Sequence, residues 1–131
     1  MSQIPELMAG RKLTHSMETT STITAGGRVF DQASNGVNVE TIASGKTLVV
    51  SDAAFQKLDP GGGTVTVTLP AEASSKGLSY MITNAASGAE DITVQNDAPA
   101  TIATLNQNES AWFACDGTTW SHMGVTTIAL T

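Results

Sequence analysis

The chain has 131 residues, of which only 14% are charged and 5% aromatic, so it has room for one domain with a real core but little bulk per segment to fill it. A single cysteine, Cys115, excludes an intrachain disulfide and a cysteine zinc cluster. The net charge of -6 argues against polyanion partners, and no window approaches the ~20 apolar residues of a membrane-spanning helix.

Residues 1 to 34 keep no steady period of 2 or 3.6, and Pro5, Gly10, Gly26 and Gly27 interrupt them. The expectation is an extended N-terminal arm, followed by a β domain over 35–131. The opening MSQIPELMAGRKL lacks the apolar run of a signal peptide, which predicts synthesis and folding in a cytoplasm. Arg11, Lys12 and Arg28 outweigh Glu6 and Glu18 in the first 30 residues. With Ile4, Leu7, Met8 and Leu13 they give the arm a mixed apolar and basic strip suited to docking on a protein surface.

From Val37 onward, short β-like runs alternate with turn residues. VNVETI (37–42) and TLVV (47–50), separated by Ser44-Gly45, predict a hairpin. SDAAFQKL (51–58) is ambiguous, because Ser51 or Asp52 could cap a single helical turn. After Pro60 and three glycines comes TVTVTL (64–69). Here Val65, Val67 and Leu69 point to a core while Thr64, Thr66 and Thr68 face solvent or a second, polar interface. Pro70 ends the strand because it has no N–H to donate.

Further strands are expected at LSYMITN (78–84), DITVQ (91–95), TIATL (101–105), SAWFAC (110–115), TWSHM (119–123) and VTTIAL (125–130). With no convincing long helix, the pattern predicts an all-β fold, an antiparallel β-sandwich or jelly-roll-like barrel. The threonine-rich strands form no measurable repeat, which argues against a solenoid. The predicted core includes Val65, Val67, Leu69, Ile82, Ile92 and Val94. So thin a core is often completed by neighbouring subunits.

Few residues offer chemistry. Cys115 and His122 flank the turn Asp116-Gly117 and could form a thiolate–imidazole pair, although a lone strand cysteine is ordinarily a small packing residue. Glu90, Asp91 and Asp97 bracket a strand and could converge on calcium, but their spacing fits no loop motif, and solvated charges at strand ends are the plainer reading. Tyr80, Trp112 and Trp120 could form a sugar-stacking platform, or be core. Asn108-Glu109-Ser110 has the form of a glycosylation acceptor but no secretory signal accompanies it. Gly61 to Gly63 lack the following Lys-Ser/Thr and helix of a phosphate loop. No metal, cofactor or nucleotide site is expected, and no catalysis.

The series TVTVTLP, YMITN, DITVQ and ESAWFACDGTTW resembles the small β domains of tailed-bacteriophage virion proteins, at Val67 to Pro70, Tyr80 to Asn84, Ile92 to Val94 and Asp116 to Trp120. The matching span, 64 to 123, is nearly half of the chain. A short chain with one domain and an arm, and no long shaft, is most similar within that group to capsid decoration (cement) proteins. The resemblance implies a structural, non-enzymatic protein on the virion's capsid surface, made in the host cytoplasm and trimeric in its working form, as such proteins commonly are. Its partners would be the major capsid protein and its own copies as a homotrimer, with no nucleic acid and no membrane. The alternative it leaves open is a head- or tail-fibre module that binds a host surface glycan.

Overall fold

The computed structural model describes residues 36–130 and the backbone of two short strands before them, β1 (Ile23–Ala25) and β2 (Arg28–Phe30). The chain divides into two units, Met1–Phe30 and Asp31–Thr131. In the first, β1 and β2 pair antiparallel with Ile23 opposite Phe30 and Ala25 opposite Arg28.

The second unit is built from strands β3 (Val37–Thr41), β4 (Lys46–Thr47), β5 (Phe55–Asp59), β6 (Val65–Thr68), β7 (Ser79–Asn84), β8 (Ile92–Gln95), β9 (Thr101–Leu105), β10 (Glu109–Cys115) and β11 (Trp120–Thr127). The single helical element among the described residues is a 3-10 turn at Glu72–Ser74. No helix among the described residues is long and apolar enough to cross a membrane. The strands form two open sheets, β11-β10-β7-β5-β3 and β4-β6-β8-β9.

The all-β expectation holds, but the sheets are mixed, not antiparallel, and neither closes into a barrel. From β3 to β8 successive strands alternate between the two sheets, and each pairs in parallel with the strand two places on: β3 with β5, β5 with β7, β4 with β6, β6 with β8. Within this unit only the last part is antiparallel, through β8–β9, β7–β10 and β10–β11. The winding is locally that of a solenoid, although the strands carry no sequence repeat.

This winding overturns the predicted hairpin over 37–50. β3 and β4 lie in different sheets. Gly45 makes the crossing: its N–H donates to the Ile42 carbonyl at 2.8 Å, its φ is +86°, and a Cβ there would stand 2.6 Å from the Thr66 carbonyl oxygen. Residues 55–59 are a strand, not a helical turn. A parallel neighbour on each side gives that strand two ladders, which outweigh a weak cap. Asp52 instead closes the preceding turn, accepting from the Val49 N–H at 2.8 Å. The two runs expected at 119–123 and 125–130 are one strand, β11, with a register shift opposite Ser110 and Trp112.

Strand periodicity decides the core. Val65, Val67, Leu69, Ile82, Ile92 and Val94 are all buried as expected, together with Leu48, Leu58, Tyr80, Leu105, Phe113 and Trp120. In the four-stranded sheet the inward rows are Val65–Ile92–Leu105 and Val67–Val94–Ala103. In the other sheet Gln56, Ile82 and Ala111 share one inward row, and Tyr80 sits beside Phe113. Side chains of both sheets belong to one cluster.

The polar groups drawn into that core are matched. Trp120 Nε1 donates to the Pro70 carbonyl at 2.8 Å, and Tyr80 Oη donates to the Val49 carbonyl at 2.8 Å. At the β3 end, where the layers run out, the inward positions become polar. Asn38 Nδ2 donates to Gln56 Oε1 and to Glu40, and Lys46 Nζ meets Glu40 at 2.8 Å. The ammonium of Lys46 and the amide of Asn38 hold the Glu40 carboxyl below the usual range.

Candidate functional site

The alternation that fills the core also fixes what lies on the outside. On the five-stranded sheet Val37 is in register with Phe55, Phe55 with Met81, Met81 with Trp112, and Trp112 with Met123. Each strand thus contributes one apolar side chain to a single row on the face away from the core. Val37 is 61% exposed, Met81 37%, Trp112 47% and Met123 70%, and Phe55 is half-buried between its neighbours.

A shallow cavity of about 280 Å3 opens along the row, lined by Val37, Ala54, Phe55, Ser79, Met81 and Trp112, with Gly36 at its margin. The adjoining row begins with exposed Val39 beside Lys57 and is polar from there on: Lys57 is beside Thr83, Thr83 beside Ser110, and Ser110 beside Thr126. Thr83 Oγ1 and Ser110 Oγ are 3.0 Å apart. In outward register on this sheet, among the described residues, the only charged side chains are Lys57 and Asp59.

The other sheet presents a different outer face. Thr66, Thr93 and Thr104 form one row, and Thr47, Thr68, Gln95 and Thr101 the next. Gln95 Nε2 donates to Thr68 Oγ1 at 3.0 Å. Threonine suits this surface because its branched Cβ fits the pleat while its hydroxyl stays in water. The molecule therefore has one apolar outer row and one hydroxyl-bearing outer face.

The residues singled out for chemistry are largely separated. Tyr80 and Trp120 are core side chains with ring centroids 5.8 Å apart, whereas Trp112 pairs with Met81 on the opposite side of the sheet. The three rings do not share a face, because Trp112 is one residue out of phase with Phe113, which pairs with Tyr80.

Cys115 is buried, and its Sγ lies 3.6 Å from the Glu72 carbonyl and 3.4 Å from the Gly117 N–H. Burial pushes the thiol's pKa up, the opposite of what a nucleophile needs. His122 stands across from Phe113, with ring centroids 6.2 Å apart, and Cys115 stands across from Trp120. Between them Asp116 ties the hairpin, accepting from the Thr118 and Thr119 N–H groups at 2.8 Å. Those donors, Thr118 first, hold its carboxyl below the usual range.

Glu90 accepts from the Gly88 N–H at 3.0 Å, and the Asp91 carbonyl accepts from Val65 at 3.1 Å. Among the described residues no group of three or more His, Cys, Asp and Glu side chains is placed to hold a metal ion. The arm residues Ile4, Leu7, Met8, Arg11, Lys12 and Leu13 lie outside the described residues.

Sequence reasoning named only Trp112 of the apolar row, and for another reason. Val37, Phe55, Met81 and Met123 carry no local signal. They become a surface only through the pairing of strands far apart in sequence. No family model, no curated protein and no solved structure matches the chain.

Proposed function

We propose that the protein is a structural component of a tailed-phage particle: a two-sheet sandwich module, without catalytic activity, that attaches to the outside of the capsid as a homotrimer and reinforces it. The observation that carries this reading is the exposed apolar row from Val37 to Met123. A surface of that kind suits association between proteins. The phage-like series of strands supplies the setting, and the capsid's major protein is the partner that setting implies.

The mechanism is mass action. A module that binds the assembled shell, and not its dissociated subunits, stabilises the shell by about 2.7 kcal/mol per site when its free concentration is a hundred times its Kd. Three arms on one trimer add avidity at a symmetric position. The strip formed by Ile4, Leu7, Met8, Arg11, Lys12 and Leu13 is the anchor in this reading.

The test is to fractionate the particles and label the protein in place. Hundreds of copies on heads support decoration. A few copies at the tail end favour the second reading, a fibre module binding a surface glycan. The observation favouring that second reading is Trp112, half-exposed at the mouth of an apolar cavity, where an aromatic face could stack on a sugar.

A further inference from the structure

The geometry points to the outer face of the five-stranded sheet as the surface through which copies of this chain meet, the row Val37, Phe55, Met81, Trp112 and Met123 of each copy facing the equivalent rows of its neighbours about a common symmetry axis. The inference rests on the reading that the protein works in self-associated form, and it supplies the interface that reading lacks.

Continuity is the first argument. Five strands about 4.8 Å apart make a row roughly 19 Å long, running from one edge of the sheet to the other with no polar side chain in it. Single exposed apolar residues are ordinary on a protein surface, but an unbroken row in register marks an interaction site.

Charge chooses the occupant. A chain at net -6 repels its own copies, and they approach most easily where that charge is missing. On this face the described charged side chains are Lys57 and Asp59, which are opposite in sign and on one strand. Further copies bring the same neutral, apolar row, and identical surfaces gathered about a symmetry axis are the common form of closed oligomers.

The free edge completes the surface. After Trp120 every residue of β11 is exposed, on both faces of the strand, and the strand holds no Lys, Asp, Glu or Pro. Apart from the bulge opposite Ser110 and Trp112, it lacks the devices that keep an edge strand from pairing with another chain. The opposite edge, β3, does carry one: Glu40 with its partner Lys46. Met123 lies on β11, so the row and this uncharged edge form one continuous surface.

The experiment is to measure the mass of the full chain by sedimentation equilibrium across a range of concentrations. Wild type would be compared with Met123→Glu, Trp112→Ser and a control, Thr66→Glu, on the outer face of the other sheet. Met123 is mostly exposed, so its substitution spares the monomer fold, which far-ultraviolet spectra and the emission of buried Trp120 would verify. The expected result is an oligomeric wild type, self-association weakened by about 100-fold or more in Met123→Glu and Trp112→Ser, and an unchanged control.

Association that survives both substitutions overturns the inference. So does a wild type that is monomeric throughout, and a monomer whose Trp112 emission responds to oligosaccharide assigns the face to a glycan instead. Binding to heads is scored separately. A monomeric wild type that still coats heads removes the interface and leaves the capsid reading, whereas an oligomer that depends on Met123 but never binds heads does the reverse.

Discussion

The side chain of Asn84, fully buried at the end of β7, donates to the Glu90 carbonyl at 2.7 Å and to the Leu105 carbonyl at 2.9 Å, and accepts from the Ala86 N–H at 2.9 Å. One amide thereby ties the five-stranded sheet, the 85–91 connection and the end of β9 in the other sheet. An aliphatic residue of similar size would fill the space and leave those backbone groups unpaired, at about 1 to 3 kcal/mol for each buried group. Asn84→Leu should therefore lower the unfolding free energy by roughly 3 kcal/mol or more, measured by urea denaturation. A loss below about 1 kcal/mol would mean that water replaces the amide at little cost.

Cys115 makes a second residue-scale case, with pH as the variable. Because burial raises the folded thiol's pKa, the unfolded chain ionises first as pH rises. The stabilising contribution is then complete below the unfolded thiol's pKa and is lost as pH climbs toward the folded value. Alkylation should be slow in the native protein and fast in urea, and the ratio should narrow through the alkaline range, where the unfolded thiol is already ionised and the native one is still gaining thiolate. Cys115→Ser should flatten the alkaline loss of stability. Equal alkylation rates in the two states would show that the thiol is open to solvent.

Elements show where sequence could and could not speak. Alternation in 64–69 reveals which side chains of β6 are buried, since period two sorts inside from outside whatever the partner strand is. It says nothing about direction or neighbour. The hairpin expected over 37–50 fails for that reason: a short Gly-containing connection suits a hairpin and a crossing between sheets alike. What separates them is that Asn38 and Glu40 face inward against Gln56 and Leu58 of β5, a long-range pairing. Likewise Trp112 is legible as a large ring, while its place in an apolar row depends on Met81 and Met123, which come from two other strands.

Gly45 makes the crossing testable. A substituent there suffers a left-handed backbone and a backbone oxygen at 2.6 Å, and that oxygen belongs to Thr66 in the middle of β6, where it cannot move freely. Gly45→Ala should cost about 1 to 2 kcal/mol for the backbone conformation and more for the contact. Gly62→Ala, also at positive φ but with nothing within 4 Å of its Cβ, should cost only the first part. Equal losses in the two variants would show that the close approach of β4's turn to β6 is unimportant.

At the scale of the molecule, every described residue of the core cluster falls between Ile42 and Trp120, inside the Asp31–Thr131 unit. The energy of burial resides there, and the described polar side chains within it all have partners. A chain beginning at Asp31 should therefore keep its β spectrum and a single cooperative unfolding transition, followed by circular dichroism in urea. Under the proposed function the same truncation should bind capsids more weakly, because it removes the strip from Ile4 to Leu13. Added salt should weaken the intact protein only in part, since the strip is apolar as well as basic. The two readouts are independent. A truncated chain that unfolds without cooperativity places part of the folding energy in residues 1–30, whereas one that folds and coats heads as tightly as the full chain removes the arm as anchor and shifts the attachment to the β sheets themselves.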